Sequence, residues 1–256
     1  MSRPVPFIDP NRPTPKRRPI KAWRHMQKLI ADKEDTEQVF HIIEALNGSS
    51  TRKDFKRFMA SHSGPALLKQ RSFLPDILDD HAPLKALPEG TVGRVYVEFM
   101  EREGLTAHGL VEESLSNRQT LEQYDDDLLW YGNRLRDTHD MYHVLTGYGR
   151  DALGEDALLG YTHSQHGGLG VSFIAFMGNR QIAKQAPKAA RVKEVLAEGR
   201  RNGKAAKRII EQDIVSLLDQ PIDAVRERLN IAEPVLYKQA LQVFREYDQD
   251  PQLVAA

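Results

Sequence analysis

Four of the nine histidines in this 256-residue chain, His139, His143, His163 and His166, fall within 28 residues. Three neighbouring side chains, His139, Asp140 and His143, form H-D-x-x-H. On a helix, residues four apart share a face with their Cβ atoms about 5–6 Å apart, so the two imidazoles can grip one metal ion. Asp140 lies about 100° around the helix from His139. It is three residues from His143, so its carboxylate can swing to the same ion or orient an imidazole. Eleven residues separate His143 from Glu155. The turn Gly147-Tyr148-Gly149-Arg150 between them reverses the chain, so a carboxylate at 155 can complete a set of two histidines, one aspartate and one glutamate. Nitrogen and oxygen donors without sulfur suit zinc, manganese, iron or cobalt and do not choose among them. A short H-x-x-x-H also recurs without any metal. His163 and His166 read more simply as polar points in a helix or cavity wall.

The elements that must carry these residues are helical by periodicity. Helices are expected over Ala22–Ala31 (Trp23, Met26, Ile30) and Thr36–Leu46, the latter stopped by Asn47-Gly48. A third follows a cap at Ser50 or Thr51, with Phe55, Phe58 and Met59 on one face. Residues 73–93 are broken by prolines and glycines. Thr91–Glu103 reads as a helix, with a short strand over Val92–Phe99 as the alternative. Asp125–Thr146 reads as one long helix whose first turn is acidic. Its stripe Leu128, Leu135, His139, Tyr142/His143 turns from apolar to polar, which suggests a site inside a bundle. After a turn over Gly147–Gly154, a glycine-interrupted helical region runs to about Gly178. Helices over Pro187–Arg201 and Lys204–Leu218 are separated by Asn202-Gly203. A short helix runs from Pro221 to Leu229, and Pro234 opens the last one. The expectation is all-α: a multi-helix bundle of one domain over 20–256, with the metal site between two helices. Residues 1–19 form a basic arm with six prolines, disordered or extended, which could also touch anionic lipid or a partner.

Composition removes whole classes of function. There is no cysteine, hence no disulfide, thiolate or iron–sulfur chemistry. Lys plus Arg and Asp plus Glu are 36 each, so net charge is zero and a general nucleic-acid binder is disfavoured. The run Ala157–Asn179 holds no Asp, Glu, Lys or Arg. Its histidines, Gln165 and five glycines make it a buried or partly membrane-facing helix pair rather than a span. No secretory or transit pattern is present.

The stretch from Arg134 through His143, followed by Leu145-Thr146-Gly147 and Gly154-Glu155, resembles the H-D-x-x-H-x11-E signature of the coenzyme Q biosynthesis protein 4 family. The likeness extends upstream through Leu87-Pro88-Glu89-Gly90-Thr91-Val92-Gly93 to Tyr96. Downstream it takes in Leu217-Leu218-Asp219, Pro221-Ile222, Val225-Arg226, Leu229 and Ile231. It covers roughly residues 35–235 and leaves the arm outside.

The resemblance implies an all-helical protein that holds a divalent ion, usually taken as zinc, through His139, Asp140, His143 and Glu155. It implies ubiquinone biosynthesis within a multi-protein complex at a membrane surface. It further implies a lyase, a C1 decarboxylase acting on a 4-hydroxy-3-methoxy-5-polyprenylbenzoate-type substrate, with oxidation at that carbon. Its expected partners are that polyprenylated phenolic substrate, other ubiquinone-biosynthesis proteins and a peripheral membrane surface, with room for a homodimer. The expected location is the cytoplasmic face of a bacterial inner membrane, or the matrix side of the mitochondrial inner membrane in a eukaryote. Arg136, three residues before His139, is a candidate contact for the substrate anion; a salt bridge to Asp137 is the plainer alternative. Leu169, Val171, Phe173, Ile174, Phe176 and Met177 could wall a groove for the tail, or be simple core. Competing readings are a non-catalytic scaffold that binds lipid intermediates, a phosphohydrolase with a His-Asp pair, and a zincin-like protease with Asp140 in place of the usual glutamate.

Overall fold

Helix-period spacing of apolar residues is realised as helix along the chain. The computed structural model describes residues 6–32, 35, 37–117 and 124–251. Met1–Val5 of the arm and Thr36 of the expected second helix lie outside them. The helices are α1 (Pro19–Ala31), α2 (Glu37–Asn47), α3 (Ser50–Ala60), α4 (Gly64–Gln70), α5 (Leu74–Asp79), α6 (His81–Lys85), α7 (Val92–Glu103) and α8 (Ala107–Asn117). They continue as α9 (Asp127–Asp137), α10 (His139–Thr146), α11 (Ala152–His166), α12 (Leu169–Gln185), α13 (Val192–Ala205), α14 (Ile222–Leu229) and α15 (Val235–Glu246). No strand occurs among the described residues, so the all-α expectation is met and the strand alternative for Val92–Phe99 is not.

These elements gather into two compact units. The first takes the chain up to Pro13, Thr51–Leu145 and Arg208–Leu229; the second takes Thr14–Ser50, Thr146–Lys207 and the chain from Asn230 on. In the first unit, Phe55, Phe58, Met59, Leu67, Leu68, Tyr131 and Ile210 form one core cluster, which Trp130 and Leu135 flank. Truncating a ring such as Phe58, fully buried here, costs about 3–5 kcal/mol. Beneath that cluster, Arg208 is buried in an ion pair with Asp54. Tyr131 donates its hydroxyl to the same carboxylate at 2.5 Å.

The arm leaves an extended trace on this unit. Phe7 donates its N–H to Asp127 at 2.7 Å. Arg12 pairs at 2.7 Å with Asp126, whose other oxygen caps α9 by accepting from Leu129 N–H at 2.9 Å. Burial pushes the Asp126 carboxyl up, but Arg12 and the two N–H donors outweigh it and hold it below the ordinary carboxylate value.

The second unit packs Ala22 and Met26 of α1 with Ile42 and Ala45 of α2 and Ile174 of α12. Asn202-Gly203 does not break the chain as expected. It lies inside α13, because Gly203 is where that helix crosses α11: a Cβ there would come within 2.3 Å of the Tyr161 carbonyl. The segment after α13 is consequently not a helix but short 3-10 turns, Ile209–Glu211 and Val215–Leu217. The uncharged run Ala157–Asn179 is interrupted at Gly167-Gly168, between α11 and α12. No described helix is long and apolar enough to cross a membrane.

Candidate metal site

The helix that carries the histidines is not the end of a long one. Asp125–Thr146 is broken at Thr138, which takes φ −96°, ψ 0°, in the sparsely populated bridge region. Its hydroxyl donates back to the Arg134 carbonyl at 2.8 Å, a local bond that competes with helix continuation. The Thr138 carbonyl accepts from Tyr142 N–H at 3.2 Å and restarts the helix as α10. Asp140 therefore sits in the first turn of α10, where the helix dipole favours a carboxylate.

Within α10, the rings of His139 and His143 lie 5.0 Å apart, edge to face. His139 Nδ1 is 3.2 Å from Asp140 Oδ1. His143 is buried, while the His139 side chain remains 41% exposed. A buried imidazole and a half-open one, one turn apart with a carboxylate between them, fit a divalent ion with an accessible side. The donor set is nitrogen and oxygen throughout.

Neighbouring elements hold this helix. The Phe99 ring of α7 stacks on the His143 ring at 5.7 Å and 20°. One turn earlier, Tyr96 is 1% exposed and its hydroxyl has no hydrogen-bond partner among the described residues. Burial raises its pKa above the ordinary phenol value, and the charges of Asp140 and Asp79 raise it further. The phenol therefore stays protonated, as an O–H donor. At the other end of α10, Arg226 of α14 donates to the carbonyls of Leu145 (2.9 Å) and Val144 (3.1 Å).

The motifs that flank the histidines in sequence meet in space. Val92 N–H donates to the Gln220 carbonyl at 2.9 Å, Ile222 N–H to the Gly90 carbonyl at 2.8 Å, and Gly93 N–H to the Leu218 carbonyl at 2.8 Å. The start of α7 is thereby clamped to the start of α14. In the sequence Tyr96 and Arg226 match the family pattern without a role; the positions of their helices supply one.

Arg136 takes its plainer alternative. It is buried, with Nε donating to Asp137 at 2.7 Å and a second nitrogen reaching the Ser114 hydroxyl at 3.4 Å. Arg134 is also buried, and donates to the carbonyls of Ile210 (3.1 Å) and Gln212 (2.6 Å).

Glu155 belongs to the second unit, on the first turn of α11. That helix starts at Ala152 and not after Gly154, because Asp151 caps it by accepting from Leu153 N–H (3.2 Å) and Gly154 N–H (3.0 Å). A side chain at Gly154 would strike the Gly149 backbone at 2.2 Å, so the turn before α11 closes only over glycine. Tyr237 pins the same turn: its oxygen accepts from Gly149 N–H at 3.0 Å, and its hydroxyl donates to Asp151. Glu155 is half-buried, 3.9 Å from Arg150. Its neighbour Asp156 is buried, which pushes its carboxyl up to about 7 despite a 2.7 Å bond from Asn179. His163 accepts a structural part, with Nδ1 3.0 Å from the Gly168 carbonyl at the end of α11.

An all-α protein with a His-Asp-His helix at a candidate metal site is the class these observations define. The family model of the coenzyme Q (ubiquinone) biosynthesis protein Coq4 matches residues 25–235, and the chain belongs to that family. It is 27% identical over 179 residues to the mitochondrial ubiquinone biosynthesis protein COQ4 homolog of Bos taurus, covering 70% of this chain and 64% of the relative. The chain thus spans under two thirds of that relative's length. It is 30% identical over 165 residues to the mitochondrial COQ4 of Ajellomyces capsulatus, covering 63% of this chain and 55% of the relative. Its fold is similar to the crystal structure of a candidate ubiquinone biosynthesis protein from Nostoc punctiforme PCC 73102. The TM-score is 0.64 at 22% identity, over 85% of this chain and 100% of the other.

Proposed function

We propose that this protein carries out the oxidative C1 decarboxylation of a polyprenylated 4-hydroxybenzoate-type precursor in ubiquinone biosynthesis, at a membrane surface and beside other enzymes of the pathway. The observation that carries this reading is the His139–Asp140–His143 arrangement on α10 in a chain of the Coq4 family. The family resemblance implies that His139, Asp140, His143 and Glu155 would hold one divalent ion, with zinc as the first candidate. Bound there, such an ion supplies Lewis acidity toward a phenolate or carboxylate.

The protein's own groups do the rest. Asp140 orients the His139 imidazole through the 3.2 Å contact. Phe99 covers one face of His143 and keeps water from it. Tyr96, whose buried hydroxyl is within electrostatic reach of Asp140, offers a neutral donor to a bound anion. Arg136 is engaged by Asp137, so its part is to hold α9 rather than to meet substrate.

The membrane setting is the peripheral one, on the cytoplasmic face of a bacterial inner membrane or the matrix side of a mitochondrial one. No described helix could cross the bilayer, and the substrate class is lipid-tailed. The test is mass spectrometry of pathway intermediates in a deletion strain rescued with wild type or His139→Ala. A ring-carboxylated intermediate accumulating in the variant supports the reading; normal quinone levels reject it.

A further inference from the structure

The second unit carries an outward apolar face at the margin of its core, in which Phe173 also packs inward. On α1, Ile20 is 71% exposed and Trp23 47% exposed, three residues apart and hence on one side of the helix. On α12, Leu169 (47%) and Phe176 (59%) are exposed, with half-buried Phe173 between them at spacings of four and three. The Trp23 and Phe173 rings lie 6.4 Å apart, which joins the two stripes into one patch. Large exposed aromatic and aliphatic side chains gathered in this way mark an interaction surface.

Charge selects the occupant. Neither α1 nor α12 contains a single Asp or Glu, whereas they hold Lys21, Arg24 and Lys28 on one and Arg180 and Lys184 on the other. The stretch just before α1 adds Lys16 and Arg17, both exposed. In a chain of zero net charge this is a local excess of one sign. Lys21 meets Glu44 of α2 at 3.4 Å, whereas Arg24, Lys28, Arg180 and Lys184 stay exposed. Aromatic and aliphatic residues flanked by such exposed cations are what an anionic lipid surface takes up: the rings sink to headgroup depth and the cations meet phosphates. A protein partner would be expected to offer acids and to meet some in return.

We infer that the face of Ile20, Trp23, Leu169, Phe173 and Phe176 is the surface on which this protein lies against an anionic bilayer. The inference rests on the peripheral membrane placement proposed above and names the residues that make it.

Sedimentation of the full chain with vesicles of 70% phosphatidylcholine and 30% phosphatidylglycerol, against pure phosphatidylcholine, tests it. Wild type is expected to bind the anionic vesicles and to release them as salt rises. Trp23→Ser/Phe176→Ser should bind at least tenfold more weakly. Arg24→Glu/Arg180→Glu should lose the preference for phosphatidylglycerol. Phe73→Ser, at an exposed ring of the first unit, should bind as wild type does. Far-UV circular dichroism checks that each variant keeps its helices. Failure of wild type to bind, or undiminished binding by the Trp23/Phe176 variant, overturns the inference. So does a solution dimer that this variant splits while vesicles are ignored, since the face would then belong to a second copy. The vesicles hold no quinone precursor, so this result is separate from the outcome of the pathway rescue.

Discussion

Arg226 donates its Nε–H to the carbonyl of Leu145 at 2.9 Å and, through a second nitrogen, reaches Val144 at 3.1 Å. These are among the last carbonyls of α10, which have no partner inside the helix and carry the negative end of its dipole. A guanidinium there both satisfies them and fixes where α10 ends, and so where His139 and His143 stand. Arg226→Ala should therefore lower stability by about 1–2 kcal/mol and weaken metal binding about tenfold, as loss of an outer support does. Arg226→Lys should restore part of the stability and little of the affinity, because an ammonium cannot span two carbonyls as a planar fork does. Urea melts and metal titration of both variants check this. Equal metal affinity in all three proteins would remove Arg226 from the site.

The Tyr96 hydroxyl is buried without a hydrogen-bond partner among the described residues. Such a group costs stability, about 1–3 kcal/mol for an unsatisfied polar atom. Tyr96→Phe keeps the ring and removes the cost, so the variant should melt at the same temperature as wild type or higher. If the hydroxyl serves a bound anion, the same change should reduce turnover by about 10-fold to 1,000-fold, the range for losing one donor at a developing charge. A variant that is both more stable and fully active would show the hydroxyl to be idle.

Helix content was legible because apolar residues recur at three and four: Phe55, Phe58 and Met26 face inward as their spacing predicts, whereas Trp23 of the same expected stripe as Met26 is exposed and the buried apolar residues of α2 are Ile42 and Ala45 rather than Val39, Phe40, Ile43 and Leu46. The His-Asp-His helix was legible for the same reason. The break at Thr138 was not, since it rests on one hydroxyl bonding its own backbone against a strongly periodic background. Gly203 reads in one dimension as a helix breaker, and only the crossing with α11 shows it as a packing residue. The clamp between Gly90–Gly93 and Leu218–Ile222 joins positions well over a hundred residues apart through backbone atoms, which leave no side-chain pattern to read. The exposed ring of Phe176 lay in a stretch that composition alone could equally assign to core.

Removing one imidazole tests the ligand set directly. His139 is half-exposed, so His139→Asn should leave stability within about 0.5 kcal/mol of wild type, as surface changes do. Its metal affinity should nevertheless fall more than about 100-fold, beyond the loss expected for an outer partner. Glu155→Gln should lower affinity in the same assay while leaving helix content unchanged. Metal stoichiometry by elemental analysis after dialysis, with circular dichroism alongside, separates ligand loss from unfolding. Full metal retention in His139→Asn would sink the site.

The pair His108–Asp79 makes stability depend on pH in a window its shifts define. Asp79 caps α8, accepting from Ala107 N–H at 2.6 Å and His108 N–H at 2.9 Å. Its Oδ2 also lies 2.6 Å from the His108 ring. Burial pushes the Asp79 carboxyl up, yet these donors and the imidazolium outweigh it and leave it below the ordinary value of 3.8. The His108 pKa is raised above 6.5, first by its bond to Asp79 and further by Asp76. The histidine's contribution is fully present below its unfolded pKa and is lost as pH rises through the higher folded one. The carboxylate's contribution is present above its unfolded pKa and is lost as pH falls through the lower folded one. Both are in place only between roughly pH 4 and 6.5. His108→Ala should therefore lower the melting temperature inside that window and leave it almost unchanged at pH 9, with the difference shrinking in 1 M salt because the ring is exposed. Melting curves of wild type and variant from pH 4 to 9 check this. A variant that loses the same amount at every pH would mean that His108 acts through packing on Phe73, 5.9 Å away, and not through its charge.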